Sequence, residues 1–221
     1  MECMEHKQIS TIVFDMGQVL IHWNAPQILS AYNLSEEDGR LLTRELFGSV
    51  EWVQLDHGTI SHRQAITQVC RRLPQRLSAV VEDIVSSWWK RLLEPMEGMG
   101  ELVRELKDQG YGIYLLSNAS VDLRRYFHRI PGSACFDGLM VSAEEKKLKP
   151  HYDIFYALYE RFGLIPEACV FIDDGPANVE AAMCTGMHAI QFRGDVGRLR
   201  RELRALGVKV AEATQSEPEM V

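Results

Sequence analysis

Six polar residues of this chain stand just beyond short apolar runs. Asp15 follows Thr11-Ile12-Val13-Phe14, Ser117 and Asn118 follow YGIYLL, and Asp173 and Asp174 follow VFI. Lys149 comes a few residues after LMVS, in EEKKLKP. Three carboxylates crowded into a partly desolvated crevice repel one another unless a hard cation lies between them. Oxygen donors without histidine or cysteine favour Mg2+ over zinc. An aspartate facing a phosphate beside such a cation can attack phosphorus in line, forming an aspartyl-phosphate that water later cleaves. Lys149 would neutralise the phosphate and hold the nucleophile, while Ser117 and nearby backbone amides would bind its equatorial oxygens.

For these residues to meet, the apolar runs must lie side by side as strands. From Met99 onward, strand-like and helix-like segments alternate. MGELVRELKDQG repeats apolar residues at Met99, Leu102, Val103 and Leu106 and stops at Gly110, an amphipathic helix with a glycine C-cap. YGIYLLSN, LMVS, ACVFIDD and HAIQF read as strands, with YDIFYALYERFG and GPANVEAAMCTG as helices between them. Such alternation predicts an α/β fold, a parallel sheet with helices on both faces, joined by the strand at Thr11–Phe14. Ligands of such sheets bind beyond the carboxyl ends of the strands, where the six polar residues fall. Residues 22 to 97 break the rhythm: they show no convincing strand, but Val80, Val81, Ile84, Val85, Trp88, Trp89, Leu92 and Leu93 recur at helical spacing. This predicts a helical insertion after the first strand.

The chain has 221 residues, enough for one substantial core or a core with a smaller insertion. Its 24 Lys and Arg against 31 Asp and Glu leave a net charge of −7, which argues against nucleic acid as a partner. The N-terminal MECMEHKQ lacks a signal-peptide core, and no apolar run approaches the ~20 residues of a membrane span, so a cytoplasmic protein with no membrane partner is expected. The five cysteines are scattered without a CxxC pair and read as packed thiols.

FDMGQVL, LLSNAS, KLKP and VFIDDGPANVEAA, in this order, resemble the four signature motifs of the haloacid dehalogenase-like hydrolases. The resemblance implies a Rossmann-like core with the first strand central and a small helical cap. Residues 1–21 and 98–210 would form the core, 22–97 the cap, and 211–221 a flexible tail. HGTIS at 57–61 resembles a recurrent turn within such caps. It further implies Asp15 as nucleophile and metal ligand, the Gly17 carbonyl as a backbone ligand, and Asp173 with Asp174 as the acidic pair of the Mg2+ site. Of that pair Asp174 is the favoured direct ligand. Ser117 and Lys149 match the phosphate-binding hydroxyl and lysine, Lys149 also serving catalysis, and Asn118 would add its amide.

One departure stands out. Most phosphatases of this group carry a second aspartate two residues after the nucleophile, where it protonates the leaving group and then activates water; here that position is Gly17. The DxG form resembles a bacterial subgroup that includes an α-glucose-1-phosphate phosphatase, which implies a small phosphorylated substrate, a sugar phosphate. Two alternatives stay open: a metal-independent haloacid dehalogenase, and a weak or inactive module that binds a phosphorylated ligand. His22 could replace the missing acid, although a linker histidine is the favoured reading. Trp88 and Trp89 are expected in the core, and Trp23 and Trp52 divide evenly between core and substrate contact. Asn178 is a candidate to orient Asp174.

Overall fold

The computed structural model describes residues 8–211; the tail expected over 211–221 therefore lies, from residue 212 on, outside the described residues. The chain enters as β1 (Thr11–Phe14), turns, and forms β2 (Ile21–His22). Five helices follow: α1 (Ala25–Ser30), α2 (Glu36–Leu42), α3 (Val50–Asp56), α4 (His62–Cys70) and α5 (Ser78–Arg91). Then come β3 (Glu94–Pro95), α6 (Met99–Asp108), β4 (Gly112–Ser117), α7 (Leu123–Tyr126) and β5 (Gly138–Val141). Helices α8 (Ser142–Glu145) and α9 (Tyr152–Phe162), strand β6 (Cys169–Asp173), α10 (Pro176–Cys184), β7 (His188–Gln191) and α11 (Val196–Ala205) complete the order. Among the described residues no helix is long and apolar enough to cross a membrane.

Five strands form one parallel sheet in the order β5-β4-β1-β6-β7, with β1 at its centre as expected. β1 is buried on both sides, which explains why its sequence is continuously apolar rather than alternating. Successive side chains still point to opposite faces. Ile12 and Phe14 pack in the cluster that holds Met99, Leu102, Val103 and Leu106 of α6 and Leu199 and Leu203 of α11. Val13 joins Ile154, Phe155 and Leu158 of α9 and Ala181 and Ala182 of α10 on the other side. Phe14 is paired with Leu115 on β4 and with Ile172 on β6, so Asp15 and Asp173 end neighbouring strands at one edge.

Four of the five helices between β2 and β3 carry their own start signal. Asn24, Ser35, Ser49 and Ser61 accept from the backbone N–H groups of Gln27, Asp38, Trp52 and Gln64, satisfying donors that a helix leaves unpaired at its N-terminus. Ser61 closes HGTIS and forms a capping box with Gln64. The segment's apolar residues, among them Leu42, Leu46, Leu55, Val69, Val81 and Ile84, belong to the same cluster as the α6 face of the sheet.

Two features differ from the expectation. β2 and β3 form an antiparallel two-residue ribbon at the base of this segment, too short to leave a periodic trace in the sequence. The repeat from Val80 to Leu93 is one helix only as far as Arg91, and it kinks at Ser87 (φ −163°, ψ 24°), whose hydroxyl donates to Asp83 Oδ1 at 2.9 Å.

Candidate active site

Asp15 leaves the sheet with its N–H still bonded to the Ile172 carbonyl at 2.9 Å, so its backbone is fixed by the strand register. Its carboxylate receives the Lys149 ammonium at 2.8 Å, and the same ammonium donates to Asp173 Oδ2 at 2.6 Å. Lys149 is 4% exposed and Asp173 fully buried. The lysine reaches this point because Asn118 clamps its backbone: the Asn118 amide donates to the Lys149 carbonyl and accepts from the Lys149 N–H, both at 2.9 Å. The Asn118 side-chain amide is thus engaged in positioning the lysine, and Asn118 also lines the cavity. Ser117 closes β4, buried, and lines the same cavity.

The acidic pair divides its work. Asp173 Oδ1 accepts from the Gly175 N–H at 2.8 Å and from Asn178 Nδ2 at 3.0 Å, so donors already occupy both of its oxygens. Asn178 therefore holds Asp173 and not Asp174, its Nδ2 lying 3.0 and 3.2 Å from the two Asp173 oxygens. Asp174 is exposed and opens onto the cavity. Carboxylate oxygens of Asp15, Asp173 and Asp174 lie within 4.8 Å of one another. Such an all-oxygen set fits a hard dication, with Asp15 and Asp174 the carboxylates whose oxygens are least taken by protein donors.

Electrostatics agree with an assembled site. Burial pushes the Asp15 carboxyl up to about 6, against the opposing pull of Lys149 and with a further push from Asp173. Burial disfavours the Lys149 ammonium, but Asp15 and Asp173 outweigh it and hold the lysine charged. Asp174, open to the cavity but partly desolvated by its walls, is raised by that desolvation and by the neighbouring Asp173 charge.

Asp15, Lys149, Asp174, Ser117 and Asn118 floor a cavity of about 310 Å³, and Asp173 lies buried outside its lining. Gly17 and Gln18 form one rim, where Gln18 Oε1 accepts from the Trp23 N–H at 2.7 Å and folds the chain after the nucleophile around the opening. The facing wall comes from the helical segment: Trp52, Leu55 and Asp56 from α3, and Val85 and Trp88 from α5. Trp23 and Tyr126 continue it. Trp23 meets Trp52 and Trp88 with ring centroids 5.9 and 6.4 Å apart. Both residues left evenly divided, Trp23 and Trp52, line the cavity. Trp88, expected in the core, is buried and also forms cavity wall, whereas Trp89 stacks on Tyr126 at 5.5 Å. His22 lies in the β2–β3 ribbon and is not among the lining residues.

Asp56 was not foreseen. It lines the cavity, and burial together with the Asp15 charge pushes its carboxyl up to about 8. The only sequence trace is an acidic residue directly before HGTIS, a common enough neighbour to pass unnoticed.

Comparison with known proteins places these features in a family. The model of the haloacid dehalogenase-like hydrolases matches residues 9–186. A sesquiterpene phosphatase from Aspergillus oryzae is 27% identical over 88% of this chain and 94% of its own length. A predicted HAD-like family hydrolase from Porphyromonas gingivalis aligns with a TM-score of 0.64 and 26% identity, covering 89% of this chain and 98% of that one. A HAD family enzyme from Bacteroides thetaiotaomicron, crystallised with magnesium and inorganic phosphate, shares the fold with a TM-score of 0.69 and 21% identity over 86% of this chain and 98% of that one.

Proposed function

Because the chain belongs to the haloacid dehalogenase-like hydrolases, we propose that it is a Mg2+-dependent phosphomonoesterase working through an aspartyl-phosphate on Asp15. The observation that carries this reading is the buried Lys149 ammonium bridging Asp15 and Asp173 at 2.8 and 2.6 Å on the floor of an open cavity. Lys149 holds the nucleophile in place and balances charge as the phosphoryl group arrives. The Ser117 hydroxyl and the backbone amide of Asn118 receive its equatorial oxygens. Asp173, held by Gly175 and Asn178, fixes the lysine. Mg2+ bound by Asp15, Asp174 and the Gly17 carbonyl, with Asp173 beside it, would offset the negative charge of the phosphoryl oxygens. Residues 22–97 act as a cap that supplies the wall facing the organic part of the substrate.

Two classes of organic group suit that wall. A sugar phosphate, the class implied by the DxG resemblance, would place a ring face on the indoles. An apolar phosphate ester is the second reading, favoured by the composition of the wall: Trp52, Leu55, Val85, Trp88 and Tyr126 offer few partners for several hydroxyls. The A. oryzae relative, named for a sesquiterpene substrate, lends support to that second class.

The test is phosphate release from sugar phosphates, isoprenoid phosphates, nucleotides and p-nitrophenyl phosphate, with Mg2+ or with EDTA, by the natural chain and by Asp15→Asn. Metal-dependent release abolished by Asp15→Asn is expected. No release above the variant, even from the aryl ester, would overturn the proposal, and halide release in EDTA would replace it with a dehalogenase.

A further inference from the structure

Attack by Asp15 on phosphorus forces the leaving oxygen to depart in line, away from the sheet edge and toward the wall built by α3 and α5. Of the residues that this helical segment contributes to the wall, Trp52, Leu55, Asp56, Val85 and Trp88, a single one carries an ionisable group. Gly17, on the loop of the nucleophile, offers none. Resting on the phosphatase reading above, we propose that Asp56 is the general acid and base of the reaction, delivered to the core site by the helical cap.

The position of Asp56 is fixed by the core rather than by its own helix. Its carbonyl accepts from the Ser142 hydroxyl at 2.5 Å, and the Ser142 oxygen in turn accepts from the Ala119 N–H at 2.9 Å. Ser142 is fully buried, so this joint is shielded from water. The next residues continue the seam: His57 Nε2 lies 2.9 Å from the Lys146 carbonyl, and the Lys146 ammonium donates to the Gly58 carbonyl. Gly58 has φ +65°, and a Cβ there would fall 2.2 Å from the Ala143 carbonyl oxygen, so only glycine lets the two segments approach this closely. The Ser120 N–H hydrogen-bonds to the Asp56 carboxylate, which aims the group at the loop that carries Ser117. Cap, carboxyl and phosphate-binding loop are thereby one hydrogen-bonded unit. Burial pushes the carboxyl up, toward the protonated form that an acid needs at the first step.

The protons balance over two steps. As an Asp15 oxygen forms its bond to phosphorus, the bond from phosphorus to the leaving oxygen breaks, and that oxygen takes the Asp56 proton and departs as an alcohol. Water then attacks the aspartyl-phosphate, giving one proton to the Asp56 carboxylate while the second stays on the phosphate product. The bond between phosphorus and Asp15 breaks, and both aspartates return to their starting forms.

The test compares wild type with Asp56→Asn in Mg2+ on alkyl and aryl phosphates of graded leaving-group pKa. Loss of a positioned acid should lower alkyl phosphate turnover by about 10² to 10⁴. The p-nitrophenolate group leaves without a proton, so the variant should release it in a burst of one equivalent per site, followed by slow turnover as the phospho-aspartate waits for a base. Wild type should show kcat/KM nearly independent of leaving-group pKa, a readout that needs no variant. A steep dependence in wild type, wild-type rates in the variant, or loss of the burst together with alkyl turnover in a folded variant would each overturn the assignment. Failure of the phosphatase reading would show separately, as a wild type that releases phosphate from no ester.

Discussion

Replacing Lys149 by Met keeps most of the side chain's volume and removes the charge on which the floor of the site depends. The ammonium is nearly inaccessible, with a side-chain exposure of 1%, and faces carboxylates exposed by 11% in Asp15 and 0% in Asp173. Deleting one partner of a buried ion pair leaves the other charge uncompensated and typically costs about 3–5 kcal/mol. Part of this deficit depends on pH. Asp15 titrates at about 6 with Lys149 present, and loss of an opposite charge at this range raises a carboxyl by a further ~1–3 units, or about 1.4–4 kcal/mol. The folded-state value lies above the ordinary 3.8, so between the two the native state binds more protons than the unfolded one and stability falls as pH rises. At pH 5 Asp15 is mostly protonated in both proteins, and its share of the deficit nearly disappears; by pH 8 most of it is expressed. Urea unfolding in EDTA at the two pH values measures this, since a dication would otherwise stand in for the ammonium. A deficit below about 1 kcal/mol at pH 8, or one that does not shrink at pH 5, would refute the view that burial and charge pairing at Lys149 organise the site.

Two other substitutions probe the seam and the wall. Gly58→Ala places a Cβ against the Ala143 carbonyl in left-handed backbone, so a stability loss of at least about 1–2 kcal/mol is expected in melts. Its kcat should fall more than its KM changes, because the displaced loop carries Asp56; an unchanged kcat would show that the seam does not position catalysis. Trp52→Ala removes a ring 4.8 Å from Phe47 and 5.9 Å from Trp23 and should lower kcat/KM about tenfold for esters with an apolar or ring-bearing group. Inhibition by inorganic phosphate should stay the same, and an equal loss for phosphate would place Trp52 outside the organic subsite.

The amino-acid sequence by itself determined the central sheet and the residues at its working edge. Each buried strand is a short apolar run, and the residue after it must emerge where the strand ends, so Asp15, Ser117 and Asp173 were placed by local rules alone. The same holds for the helices between β2 and β3, where serine or asparagine caps open α1 to α4 and apolar spacing marks α5. Hydrogen-bond partners across the site were a different matter. Asn118 clamps Lys149 and Asn178 serves Asp173 because of how loops far apart in the chain come to rest, and neither amide differs in sequence from one that binds phosphate or orients Asp174. Trp88 and Trp89 share one helical pattern and are equally buried, and only the tertiary fold shows that Trp88 alone of the two lines the cavity. Asp56 depended most on tertiary structure. Its chemistry arises from burial and from the nearness of Asp15, and both come into being only when Gly58 allows α3 to dock on the loop at Ser142. Local sequence fixes where a strand ends and a helix begins, because backbone geometry and capping are short-range. Desolvation and charge proximity are properties of the packed whole, and they decided which carboxyl keeps its proton.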